Sequence, residues 1–292
     1  MKGELVRAWT EDDLQLQGLY CTCGEDSGPP AVLHVHGASS NFYRSQFLDP
    51  LADRLNDSGF AFLTGNTRGH DIINTVYTRD PTASERLGVC YEIFEDCVLD
   101  IDCWVSFLEA RGHQRVVLLG HSFGAHKVAF YQSHEMDRRV EALVLMSPAD
   151  QGFWLDPQEP QTRGILSWAS DKVSKGSGES LAYKGIAPYP MSASTIHSFF
   201  VSGKADIFRF GRPNEPWDVV SRLGCPILAM MGTVAEFVGP TPRQALAALK
   251  KKSVASPRCD VEVVEGAPHN YRGYEAQVAD LIAEWVKDVL NR

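Results

Sequence analysis

The sequence predicts an α/β fold: a mostly parallel central sheet of about eight strands, with helices on both faces and a helical cap inserted late in the chain. Three observations predict it. Short apolar runs such as "AVLHV" (31–35), "RVVLLG" (115–120) and "VEALVLMS" (140–147) recur along the 292 residues. Segments with apolar residues at helical spacing alternate with them. The runs are also continuously apolar rather than alternating with polar residues, which is the pattern of strands buried on both faces.

The elements follow in order. "LVRAW" and "LQLQGLY" flank the polar turn Glu11-Asp12-Asp13 and predict an opening hairpin. After Gly28-Pro29-Pro30, the strand at 31–35 breaks into His36-Gly37-Ala38-Ser39-Ser40-Asn41, ahead of a helix with Phe47, Leu48, Leu51 and Leu55 on one face. "GFAFLTGN" (59–66) is a buried strand. The segment 91–111 carries Phe94, Cys97, Val98, Ile101, Trp104, Val105 and Leu108 at helical spacing and stops at Gly112. The strand at 115–120 leads into a helix that begins at Ser122 to Phe123. "PILAMMG" (226–232) precedes a helix at 242–252, announced by Thr241-Pro242. "DVEVVEG" (260–266) precedes a final helix with Val278, Leu281, Ile282, Trp285, Val286 and Val289 on one face.

One segment breaks this rhythm. Residues 151–219 show no clear strand, yet hold ten of the 29 aromatic residues, among them Trp154, Trp168, Tyr183, Tyr189, Phe199, Phe200, Phe208 and Trp217. A connection this long exceeds the ~15 residues that structureless loops reach in compact domains, so it reads as a helical cap, or lid. The expected organisation is therefore a core domain of 1–150 and 220–292 with a cap at 151–219, flexible at Lys172 to Glu179 ("KVSKGSGE").

Bulk properties narrow the function. Net charge is -9 and the basic residues are scattered apart from Lys250-Lys251-Lys252, which complements the negative end of its helix. Nucleic acid is not an expected partner. No apolar stretch approaches the ~18 residues of a membrane span, and "MKGELVRAWTEDD" lacks the apolar centre of a secretory signal, so a cytoplasmic protein is expected. Seven cysteines without framework spacing fit reduced thiols. Cys21-Thr22-Cys23 is the one close pair; with no second pair or histidine cluster to complete a zinc site, it reads as thiols on a surface strand, and no metal is expected.

Gly120-His121-Ser122-Phe123-Gly124 fits G-x-S-x-G directly after an apolar strand and directly before a helix, the context of a nucleophile elbow. A turn sharp enough to lift the Ser122 hydroxyl above the sheet crowds the backbone, and glycines at 120 and 124 relieve the crowding. The helix start aims its N–H groups and positive dipole end at the same spot, making the Phe123 N–H a candidate oxyanion donor.

Together with His36-Gly37-Ala38-Ser39 at the end of the 31–35 strand, these residues resemble the α/β-hydrolase superfamily. The resemblance covers roughly residues 30–150 and 220–290. It implies a second oxyanion donor from the residue after the His-Gly turn, here the Ala38 N–H, or Ser39 if the loop is shifted. It also implies a catalytic histidine between the last strand and last helix, where "GAPHNY" offers His269. "NTRGHD" (66–71) is similar to the R-G-H-G loop of these enzymes. The ordering of "RGHD", "GHSFG" and "AEFV" is distantly similar to a branch that contains fungal siderophore-ester hydrolases. The other histidines have weaker claims: His121 and His126 flank Ser122 and could line the site, while His34, His70, His113, His134 and His197 read as structural or exposed.

The acid departs from the family pattern. Where "G-x-x-D" is usual, the chain reads Gly232-Thr233-Val234-Ala235-Glu236, with alanine at the aspartate position. Glutamate is one methylene longer, so Glu236 could still reach the far ring nitrogen of His269. Asp150 in "SPAD" is the alternative acid, and Asp156 or no acid at all also stand open. The expected function is a serine hydrolase of a carboxylic ester, lactone or thioester, with a small, partly apolar acyl substrate and no cofactor. Acyl transfer and carbon-carbon bond hydrolysis use the same machinery, and a ligand-binding member of the fold without catalysis is the reading that Ala235 keeps open.

Overall fold

The computed structural model describes residues 2–22, 24, 28–155, 159–183 and 186–290. Its first half runs β1 (Glu4–Trp9), β2 (Gln15–Cys21), β3 (Ala31–Val35), α1 (Leu48–Asp57), β4 (Ala61–Gly65), β5 (Asn74–Tyr77), β6 (Ser84–Leu87) and α2 (Cys97–Ala110). The second half runs β7 (Val116–His121), α3 (Phe123–Glu135), β8 (Val140–Met146), α4 (Gln151–Trp154), α5 (Pro160–Ser174), β9 (Leu181–Ala182), β10 (Met191–Ser192), α6 (Ala193–Ile196), α7 (Asp218–Arg222), β11 (Ile227–Val234), α8 (Pro242–Lys252), β12 (Cys259–Pro268) and α9 (Glu275–Leu290).

The predicted fold class is the observed one. Eight strands form one sheet in the order β1-β2-β4-β3-β7-β8-β11-β12. The opening hairpin pairs antiparallel, β2 joins β4 antiparallel, and every pair from β4 to β12 is parallel. β3, β4, β7 and all but Glu141 of β8 are buried throughout, as their unbroken apolar runs require.

Alternate side chains of each strand feed two cores. Val32, Phe62, Val117, Leu119 and Val144 meet Leu48, Leu51 and Leu55 of α1 and Val278, Ile282 and Trp285 of α9 on one face. Leu33, Val35, Leu118, Leu143 and Ala229 meet α2, α3 and α8 on the other. Each large side chain buried this way contributes roughly 1.5–3 kcal/mol. The chain leaves β3 towards α1 on one face, and leaves the adjacent β7 towards α3 on the opposite face. The carboxyl ends of β3 and β7 are therefore the point where the winding reverses, which is where α/β sheets open a crevice.

Three expectations need correction. A two-stranded antiparallel pair, β5 with β6, follows β4, and a shorter one, β9 with β10, lies in the 151–219 segment where no strand was expected. Both are too short, and β6 too exposed, to leave an apolar alternation. Cys21 is not a surface thiol: it is fully buried against the α1 face, and burial raises its pKa to about 11. Cys23 lies outside the described residues. Lys172 to Glu179 is no open linker, since Lys172–Ser174 end α5 and Ser177 N–H donates to the Lys172 carbonyl at 2.8 Å.

The segment between β8 and β11 is anchored to the body. Ser198 Oγ accepts the Phe94 N–H at 2.8 Å, and Ser192 N–H donates to the Cys90 carbonyl at 2.7 Å. Among the described residues, no helix is long and apolar enough to cross a membrane.

Candidate active site

Ser122 occupies the turn between β7 and α3 with φ 56 and ψ -121, outside the regions L-residues favour. The surroundings explain how the strain is tolerated. A Cβ on Gly120 would meet the Gly124 carbonyl oxygen at 2.3 Å, and one on Gly124 would meet the Val35 carbonyl oxygen at 2.1 Å. Only glycine fits at either position, and the Ser122 N–H is held by the Met146 carbonyl at 2.8 Å. As the first residue of α3, Phe123 has an N–H with no carbonyl one turn back to receive it.

Left-handed backbone recurs along this edge. Six of the eight described non-glycine residues with positive φ each follow one of the six parallel strands: Ser39 after β3, Asp71 after β4, Ser122 after β7, Ser147 after β8, Ala235 after β11 and Tyr271 after β12.

The loop after β3 is oriented by His36, a buried residue. Its Nε2 accepts the Thr67 N–H at 3.0 Å, so the proton resides on Nδ1, which donates to the Gly37 carbonyl at 2.8 Å. Burial holds this imidazole neutral by pushing its pKa well down. In a planar trans peptide the N–H points opposite to the C=O, so anchoring the Gly37 carbonyl to His36 turns the Ala38 N–H the other way. A Cβ on Gly37 would stand 3.0 Å from Ser122 Cβ, which measures how closely the two loops approach.

Glu236 and His269 meet. His269 Nδ1 lies 2.8 Å from Glu236 Oε2, while Oε1 accepts from Ser147 Oγ and from the Gly232 N–H, both at 2.8 Å. The pairing of β11 with β12 shifts register between Gly232 and Val234, and Ala235 adopts φ 55. This bend turns Glu236 back onto the strand end, so the carboxylate arrives from one residue beyond the usual acid position. Behind it, the Tyr271 hydroxyl sits 2.8 Å from Ser147 Oγ and donates to the Met230 carbonyl at 3.2 Å. Burial and the Glu236 charge raise the Tyr271 pKa, keeping it protonated.

His269 is braced from two sides. Tyr271 N–H closes a turn onto the Pro268 carbonyl at 2.8 Å. His121 Nε2 donates to the His269 carbonyl at 2.9 Å, its ring 5.2 Å from the His269 ring. Burial, and then His269 itself, push the His121 pKa down to about 4. A neutral His121 places no charge beside His269.

Asp150 is engaged elsewhere. It caps α4 by accepting the Gly152 N–H at 2.8 Å, and its other oxygen accepts the Gly211 N–H at 2.6 Å. Asp156 lies outside the described residues. His126 is buried with both ring nitrogens 2.9 Å from carbonyls, those of Ala149 and Ala205.

Ser122, His269, Ala38 and Phe123 border one cavity of about 510 Å³. Ile186, Tyr189, Met191, Phe199 and Phe200, from the segment between β8 and β11, form its apolar wall, with the Phe199 ring tilted against Phe123 at a centroid distance of 4.7 Å. Phe237 closes the side beside His269, ring centroids 4.5 Å apart. Among the described residues, no cluster of three or more side chains suited to a metal occurs.

The buried network beneath this edge has no motif in the sequence. Lys127 and Glu92, both fully buried, form an ion pair at 2.5 Å, and Lys127 Nζ also donates to Thr67 Oγ1 at 2.9 Å. "NTRGHD" is a structural loop: Arg68 pairs with Asp100 and Asp12, and Thr67 supports His36.

A family model described as "Alpha/beta hydrolase family" matches residues 32–284. The chain belongs to that family. Among curated proteins, none is similar enough in sequence to match. Several solved structures share its alpha/beta hydrolase fold. Est1E from Butyrivibrio proteoclasticus superposes with a TM-score of 0.65 at 16% identity, over 100% of both chains. A soluble variant of monoglyceride lipase from Saccharomyces cerevisiae, in complex with a substrate analogue, gives 0.66 at 17% identity, over 99% of this chain and 96% of that one. An esterase from Pyrococcus furiosus gives 0.62 at 16%, over 99% and 91%. At these identities the likenesses show the alpha/beta hydrolase fold that this chain shares with them.

Proposed function

We propose that this alpha/beta hydrolase cleaves a carboxylic ester, lactone or thioester through Ser122, His269 and Glu236, beneath a cap formed by residues 151–219. The observation that carries this reading is the 2.8 Å contact between Glu236 and His269, on a cavity that also receives the strained Ser122. Ser122 Oγ attacks the acyl carbon as His269 Nε2 takes its proton, and Glu236 holds the ring with Nδ1–H towards the carboxylate. The oxyanion gathers against the Ala38 and Phe123 N–H groups. Collapse expels the leaving group with the proton from His269, and a water molecule activated by the same imidazole releases the acid.

The family model and the esterase and lipase structures of similar fold support ester chemistry. A carboxylate already seated on His269 weighs against a purely ligand-binding role. Acyl transfer is the rival on the same machinery, because an apolar wall beside the acyl-enzyme favours an organic acceptor over water. Products formed with an added alcohol or thiol acceptor separate the two.

The test is mass spectrometry of the intact protein after exposure to a fluorophosphonate, with Ser122→Ala and Glu236→Ala alongside. Stoichiometric labelling that disappears with Ser122 and slows greatly without Glu236 is expected. An unlabelled parent protein, or ester turnover that survives Ser122→Ala, would overturn the assignment.

A further inference from the structure

The charges at the mouth of the cavity are all of one sign. Arg44 and Arg272 both border it and both are exposed, so they stand at its entrance. No aspartate or glutamate borders the cavity among the described residues. This is unexpected in a chain with 37 acidic and 28 basic residues.

Most arginines here are committed to carboxylates. Arg54, Arg68, Arg115, Arg139 and Arg258 each lie within 3.0 Å of one. Arg44 and Arg272 have no carboxylate partner within 4 Å among the described residues. Arg44 Nη1 donates to the Ser39 carbonyl at 3.1 Å, which uses one of five guanidinium donors and ties the cation to the loop carrying Ala38. Arg272 follows His269 by three residues in the same loop. Both cations thus sit on the loops after β3 and β12 and border the same cavity as the apolar residues from the segment between β8 and β11.

We infer that Arg44 and Arg272 select esters or thioesters whose leaving group carries a carboxylate or phosphate. This rests on the hydrolase reading of the same site. The leaving group departs on the side of His269, which hands it the proton, and Arg272 shares that loop. The acyl part lies against Phe199, Phe200 and Met191, which offer no charge. An anion approaching a protein of net charge -9 is repelled overall, so a local pair of unpaired guanidiniums supplies the attraction that admits it.

The experiment compares leaving groups on one acyl chain: 4-butyryloxybenzoate against 4-butyryloxybenzamide, and butyryl glycerol 3-phosphate against monobutyrin. The ratio of kcat/KM, anionic over neutral, is expected to be about 10 in the parent protein and to fall to about 1 in the Arg44→Gln/Arg272→Gln double variant. The preference is also expected to shrink with NaCl, as the Debye length falls from ~30 Å at 0.01 M to ~3 Å at 1 M. Whichever pair shows the larger ratio identifies the anion. Equal kcat/KM for charged and neutral esters in the parent, or a ratio unmoved by the double variant, would overturn the inference while neutral turnover still supports the hydrolase. If no ester is turned over, protection of Ser122 from a neutral fluorophosphonate decides. 4-Hydroxybenzoate is expected to protect better than 4-hydroxybenzamide, and equal protection would overturn the proposal.

Discussion

Glu236 reaches His269 from one residue past the position where the family's acid usually stands, and does so at 2.8 Å because Ala235 bends the backbone left-handed before it. Alanine at 235 is thus the turn, and its neighbour is the residue proposed above as the acid.

Glu236→Gln keeps the size of the side chain but presents an amide where His269 Nδ1 needs an acceptor. A fall in kcat of about 10³–10⁴ is expected, by analogy with the loss when an orienting carboxylate is neutralised. Glu236→Asp is expected to be milder in charge but too short. Steady-state kinetics of the two variants on one ester check this, and parental kcat in Glu236→Gln would move the acid's role elsewhere.

His36 orients the Gly37 peptide without facing the substrate. His36→Ala is expected to lower kcat about 10- to 100-fold with little change in KM, since a misdirected Ala38 N–H is felt when the oxyanion forms. A matched rise in KM with kcat intact would contradict this.

Lys127 and Glu92 hold each other beneath the elbow with no exposure to solvent. Lys127→Met strands a buried carboxylate and is expected to cost about 3–5 kcal/mol, whereas Lys127→Met with Glu92→Leu is expected to recover most of it. Urea unfolding of the single and double variants measures both. Burial raises the Glu92 pKa, so part of the single variant's loss is expected to return at acid pH.

Buried histidines, His36 among them, set an acid limit. Burial pushes His34 down to about 3, and His121 and His126 down to about 4, against 6.5 when unfolded. The unfolded chain therefore binds more protons below pH 6.5. Their contribution is fully present above 6.5 and is lost as pH falls towards 4, by up to ~1.4 kcal/mol per pH unit for each. Denaturation midpoints between pH 7 and 4 check the slope, and a flat profile would mean these rings take up protons in the fold.

Much of this was legible because it is local. The Gly120–Gly124 turn declares itself through residue sizes within five positions, and the strand and helix periods give the sheet and both helical layers. Glu236 was reachable because the strand end and the length of a glutamate bound the search. What sequence could not offer are partnerships across distance. Lys127 and Glu92 each fall in a segment of helical spacing and nothing links them until the fold removes both from water. Ser147 and Tyr271, which back Glu236, stand in the "SPAD" and "GAPHNY" stretches, but nothing in either stretch points to the other or to Glu236. The β5 and β6 hairpin is mostly exposed and carries no alternation to read.

The six left-handed residues that follow the six parallel strands give the molecule two unequal ends. Replacing Ser39 or Ala235 with glycine relieves a penalty of ~1–2 kcal/mol for each residue held in this conformation. The gain comes with looser loops where Ala38, Ser122 and Glu236 must be held, so melting temperature and turnover are expected to move in opposite directions. Loops at the other end of the sheet carry less of this tension: among the described residues Met136, between α3 and β8, is the left-handed non-glycine residue there. Selection for heat resistance can alter them freely, but at the strained end it trades durability against catalysis.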